Sequence, residues 1–140
     1  MSNLAKLTAN CLFCKIIRGQ IPSKKLVETD LTFSFLDINP LSRGHSLIIP
    51  KYCGAKLADI PDEFLADAMP VAKKIAIATG ATNYNILQNN GAEAHQEVMH
   101  VHFHVIPKPS EEEGLGIGWP KTEPTAEEIN AIYEELKSKL

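Results

Sequence analysis

The 140-residue chain lacks a long uninterrupted apolar run. No stretch reaches the roughly 18 to 20 residues needed to span a bilayer, and Met1 to Asn10 has no continuous apolar core of signal-peptide length. It also lacks a charge excess: 14 basic residues face 17 acidic ones, for a formal net charge of −3. No basic field is present to gather a polyanion, so nucleic acid and membrane surfaces are not the expected partners, and any phosphate must be bound locally. Three cysteines, an odd number with two only three positions apart, do not form the disulfide framework of a small secreted domain. Metal binding or free thiols remain. With no internal repeat and no long linker, the chain reads as one soluble, intracellular domain large enough for a core.

The elements follow from periodicity. A short helix is expected near Phe13 to Arg18, closed by Gly19. Lys25–Thr29 and Leu31–Leu36 carry β-formers around Thr29-Asp30 and predict a hairpin. After a turn at Pro40–Gly44, His45–Ile49 is short and apolar enough for a central strand, which Pro50 ends. Between Pro61 and Gly80, Phe64, Leu65, Ala68, Val71, Ala72, Ile75 and Ala76 recur at helical spacing, and Pro70 is expected to kink or divide that helix. Strands near Tyr84–Gln88 and Met99–Ile106 follow. Pro109–Thr125 is an irregular, exposed connection, and Thr125 with Glu128 makes a capping box for a last helix from Ala126 to about Ser138. The class is α+β with an antiparallel sheet.

His100-Val-His-Phe-His-Val-Ile106 places three of the five histidines at alternate positions, hence on one face of a strand, while Val101, Phe103 and Val105 face the long helix. Two chemistries suit three imidazoles in register. Two histidines could share a catalytic zinc, but same-face neighbours are roughly 6.5 to 7 Å apart, which disfavours one ion held by all three. The other is nucleophilic chemistry at phosphorus, for which imidazole is suited because its ordinary pKa of about 6.5 leaves it largely unprotonated at neutral pH.

The run His-apolar-His-apolar-His-apolar-apolar resembles the signature of the histidine-triad (HIT) superfamily. The likeness extends through Cys11-Leu-Phe-Cys-Lys-Ile-Ile, Phe35-Leu-Asp-Ile, Gly44-His-Ser-Leu-Ile-Ile-Pro-Lys51 and Asn89-Asn-Gly, over about residues 11–109. Gly118-Trp-Pro120 is similar to fungal members of its Hint branch. The resemblance implies the HIT fold: about five antiparallel strands, one long central helix and a C-terminal helix, with a domain over 11–109 and residues 110–140 packed on it.

It also implies a function, the hydrolysis of adenosine 5′-monophosphoramidate and AMP-lysine-type P–N bonds. His102 is the implied nucleophile, forming a nucleotidyl-histidine that water then resolves, and His104 lies beside the phosphate. His100 is implied to support either the nucleophile or a metal. His45 is implied to support His102 from behind, with a satisfied buried imidazole as the alternative. Asn89 and Gln96 match phosphate-holding positions, whereas Glu97, a carboxylate, cannot donate there when ionised. Asp37 matches a ribose-binding acid, the alternative being a turn cap. Phe13, Ile16 and Leu47 match an apolar base slot, or are plain core.

Cys11-x-x-Cys14 needs further ligands for a structural zinc. In relatives with this pair the partners resemble the first triad histidine and a second histidine, at whose place this chain has Cys53. A Cys3His set of Cys11, Cys14, Cys53 and His100 is the resulting expectation, against three reduced thiols. Purine nucleotide derivatives, of AMP or alternatively GMP, are the implied ligands, and a homodimer whose tail around Trp119 reaches the second subunit is the implied assembly. The compartment expected is the cytoplasm, extending to the nucleus. Two other functions stay open: dinucleoside polyphosphate hydrolysis of the Fhit-like branch, and a zinc-stabilised nucleotide-binding scaffold without turnover.

Overall fold

The structure is a computed structural model that describes residues 6–140. Five strands form one antiparallel sheet: β1 (Lys25–Glu28), β2 (Thr32–Leu36), β3 (Ser46–Pro50), β4 (Tyr84–Leu87) and β5 (Phe103–Pro107), in spatial order β1-β2-β3-β5-β4. Helices α1 (Leu12–Ile17), α2 (Asp62–Thr79) and α3 (Ala126–Lys139) complete the chain. The α+β class and the five-stranded antiparallel sheet are as the sequence implied. None of these helices is long and apolar enough to cross a membrane.

Alternation along the strands sorts the core into two layers. Ile48, Val101, Phe103 and Val105 pack against Phe64, Ala68, Val71, Ala72, Ile75 and Ala76 of α2. On the opposite face Phe33, Phe35, Leu47 and Ile49 pack against Phe13, Ile16 and Ile17 of α1. The hairpin is tied to α2 as well, since the hydroxyls of Thr29 and Thr32 both donate to Asp67 Oδ2.

Two expectations are corrected. Pro70 does not divide α2, which runs unbroken from Asp62 to Thr79. Pro70 and Ala66, whose carbonyl loses its bond to the proline, are both exposed, so that carbonyl is open to water. The last strand does not start at Met99. Its pairing with β3 covers only Phe103, His104 and Val105, and the peptides before it bond elsewhere: Val101 N–H donates to Gly54 O at 2.8 Å, and the His102 ring bonds the His100 carbonyl. No residue of α3 is buried. Ile129, Ile132, Tyr133 and Leu136 stand exposed along one side of it. In the tail, Gly114 holds a φ of 89°, which suits glycine, and an added Cβ there would meet Pro107 O at 2.6 Å.

Candidate active site

Four histidines gather where β3 and β5 run side by side. His45 just precedes β3, His104 lies on β5 opposite Leu47, and His100 and His102 lie on the irregular segment leading into β5. Ring centroids are 4.9 Å apart for His102 and His104 and 5.2 Å for His45 and His104. Phe13 of α1 packs edge-on to His102 with centroids 5.0 Å apart, so the apolar face of the sheet forms one wall of the site.

The hydrogen bonds fix which nitrogen of each ring carries hydrogen. His102 Nδ1 lies 2.7 Å from the main-chain oxygen of His100, which can only accept. Nδ1 therefore carries the hydrogen, and Nε2 keeps its lone pair. Leu41 N–H donates to His45 Nδ1 at 3.0 Å, so in the neutral ring the hydrogen of His45 sits on Nε2. That Nε2 lies 2.9 Å from His104 Nδ1 and 3.5 Å from Asp37 Oδ2. His45 donates to His104, whose own hydrogen is thereby placed on Nε2. The result is an unprotonated nitrogen on His102 and an N–H on His104, on neighbouring rings.

Burial keeps these rings neutral. It is the main cause that lowers His45, His100, His102 and His104 below their ordinary pKa, and His104, beside two other imidazoles, is pushed down to about 4. Asp37 opposes the shift on His45, His102 and His104 by its negative charge.

Two expected site residues have their polar groups engaged within the protein. His45, implied to support His102 or else to be a satisfied buried imidazole, is buried and bonds to His104. Gln96 was expected to hold phosphate, but it is buried and its amide is engaged: Nε2 donates to Ala55 O and Val98 O at 2.6 and 3.0 Å, and Oε1 accepts from Gly91 N–H at 2.7 Å. It closes the loop ahead of the triad, where His95 holds a φ of 67°. Asn89 is freer, with one bond from Nδ2 to His95 O at 3.3 Å. Glu97 is exposed.

Asp37 Oδ1 caps the turn by accepting from Asn39 N–H at 2.8 Å, while Oδ2 faces His45. Phe13, Ile16 and Leu47 come together in one cluster and are all buried as core. The main-chain groups that orient the rings, Leu41 N–H, Pro50 O and His100 O, were missed, since backbone leaves no residue-type signal. Leu12 and Ile38, next in sequence to Phe13 and Asp37, are exposed apolar side chains, Ile38 by 85%.

Behind the histidines, one ligand atom from each of Cys11, Cys14, Cys53 and His100 falls within 4.8 Å of the others. His100 is fully buried, and its Nε2 donates to Pro50 O at 2.8 Å. Nδ1 is thus left as a lone pair, 3.2 Å from Cys11 Sγ and 3.6 Å from Cys14 Sγ. Three thiols converging on an imidazole lone pair are a donor set that suits a tetrahedral, closed metal site. The first triad histidine therefore belongs to the cluster through its ring and orients the His102 ring through its backbone.

The HIT domain family matches residues 18–111. The chain is 58% identical over 140 residues to an adenosine 5′-monophosphoramidase, HNT1, of Saccharomyces cerevisiae, covering all of this chain and 89% of the relative. It is 56% identical over 131 residues to the enzyme of that name from Schizosaccharomyces pombe, covering 94% and 98%. Among solved structures, the histidine triad nucleotide-binding protein of Candida albicans superposes with a TM-score of 0.89 at 50% identity, covering 93% of this chain and 96% of that one. A Zn-bound histidine triad family protein of Mycobacterium smegmatis superposes at 0.70 with 33% identity, covering 94% and 98%. The chain belongs to the HIT family, on its intact triad, its fold and its identity to these relatives.

Proposed function

We propose that this protein hydrolyses the P–N bond of adenosine 5′-monophosphoramidate and of AMP-lysine-type compounds. The observation that carries the reading is the pair of oriented rings: a lone pair on His102 Nε2 beside an N–H on His104. His102 Nε2 attacks the α-phosphorus, an N–P bond forms, and the P–N bond to the leaving amine breaks, its electron pair departing on nitrogen, which takes up a proton. Water then attacks phosphorus, the His102–P bond breaks, and AMP leaves. Dividing one displacement into two is the advantage of a covalent nucleophile. His104 N–H donates to the charge that builds on the phosphoryl oxygens. The names of the yeast relatives support the substrate class.

The free carboxylate oxygen of Asp37 suits the ribose hydroxyls, the unused donor of Asn89 suits phosphate, and Leu12 and Ile38 offer apolar contact to a purine, of AMP or GMP. Cys11, Cys14, Cys53 and His100 are the residues that would hold zinc, which supplies rigidity rather than chemistry. Elemental analysis of purified protein checks this; one zinc per chain is expected.

A homodimer in the cytoplasm, and also the nucleus, completes the proposal. Strand β4 is an edge strand with Tyr84 and Ile86 exposed, and pairing it with a second copy would cover both. Trp119 and the apolar side of α3 are further surface for that copy.

The test is hydrolysis of adenosine 5′-monophosphoramidate beside a diadenosine polyphosphate at matched concentration. Faster phosphoramidate turnover supports the proposal. Faster polyphosphate cleavage moves the chain to the Fhit-like alternative, and AMP binding without turnover of either makes it a binding protein.

A further inference from the structure

His100 occupies two networks at once. Its ring is held between Pro50 O and the cysteine cluster. Its main-chain oxygen accepts the hydrogen bond that sets the tautomer of His102. The peptide bearing that oxygen lies outside β5, so no sheet ladder fixes it. Its hold comes from elsewhere, and from one short segment: Cys53 reaches the cluster around the His100 ring, and the next residue, Gly54, accepts from Val101 N–H at 2.8 Å. Gly54 is itself wedged, since a Cβ there would meet Ile60 Cδ1 at 2.8 Å. Cys53 thus stands in the cluster around the His100 ring, while Gly54 holds the peptide after His100 through its carbonyl.

We propose that the metal cluster is the mount of the nucleophile: a metal bound to His100 Nδ1 immobilises the His100 carbonyl and thereby keeps His102 as the Nδ1–H tautomer with Nε2 free to attack. This rests on the reading that the Cys3His set holds zinc. His100 and Cys53 are then positioning residues for the chemical step, coupled to it by a single peptide, in the way outer groups orient reacting ones. A cluster that merely fastened the N-terminal segment to the sheet would affect stability and leave His102 unchanged.

The test compares wild type, Cys53→Ser and Cys53→His, each zinc-loaded and after chelation. Zinc content, circular dichroism, His102 tautomer by long-range nitrogen–proton NMR, AMP affinity, and kcat and KM for the phosphoramidate are measured. Cys53→Ser is expected to lose zinc, to show mixed His102 tautomers and to lose about 10- to 100-fold in kcat, with AMP affinity unchanged. Cys53→His, which restores a zinc ligand, is expected to recover both tautomer and kcat. If Cys53→Ser does not fold, chelated against loaded wild type supplies the same comparison.

A zinc-free, folded protein with an unaltered His102 tautomer and kcat would overturn the proposal. So would a wild type that binds no zinc while turning over phosphoramidate, an outcome that leaves the proposed function standing. If phosphoramidate is not a substrate, the proposed function fails, and the NMR comparison still decides the coupling.

Discussion

His102 turns Nδ1 onto the main-chain oxygen of His100, 2.7 Å away, and this one bond leaves Nε2 as the nitrogen with a free lone pair. The proposed nucleophile is thus oriented by the backbone two residues earlier, which ties the spacing of the first two triad histidines to the geometry. Together with the His45–His104 bond it sets complementary roles on neighbouring rings, a lone pair and a donor, with no charge on either.

The His45–His104 bond yields a first prediction. In His45→Ala, His104 Nδ1 loses its donor and the ring can place its hydrogen on Nδ1 instead, withdrawing the N–H from the phosphoryl oxygen. Loss of one such donor costs on the order of 10²- to 10³-fold in kcat. Steady-state kinetics is expected to show a fall in kcat of that order with KM changed far less.

Stability depends on pH through the same rings. His104 is held at about 4 in the fold against an ordinary 6.5, and His45 is shifted the same way. Above pH 6.5 both states carry neutral imidazole and the stability is fully present. As pH falls from 6.5 towards 4, the unfolded chain takes up protons that the folded one does not, and stability is lost. Thermal melts across this window are expected to show a falling Tm, with a shallower slope in His104→Asn.

Gln96 provides a structural prediction. Gln96→Ala removes three hydrogen bonds at once and leaves Gly91 N–H, Ala55 O and Val98 O without that partner. At about 1 kcal/mol per net bond, with more where a group stays buried and unpaired, a loss of about 2 to 4 kcal/mol is expected in urea unfolding.

What the sequence made legible was whatever periodicity and residue type encode. The packing of Val101, Phe103 and Val105 against α2 follows from their alternation with the histidines and from the helical spacing of Phe64 to Ala76. The Cys11, Cys14, Cys53 and His100 cluster, proposed from likeness to relatives, does come together in space. The start of β5 was not legible, because a local ring-to-carbonyl bond at His102 and the Gly54 bond to Val101 replace ladder bonds that the residue pattern suggests. Pro70 reads as a breaker in any helix, and only its place on the solvent side makes it harmless. The partners of His45 and Gln96 were equally hidden, since the sequence shows an imidazole or an amide but not the backbone that claims it.

The most direct measurement is rapid-quench mass analysis of wild type and His102→Ala mixed with adenosine 5′-monophosphoramidate. The account predicts a transient adenylyl adduct on the wild-type peptide that contains His102, formed no more slowly than steady-state turnover. In His102→Ala the adduct should be absent and turnover lost. Undiminished turnover by His102→Ala, or an adduct on another residue, would contradict it.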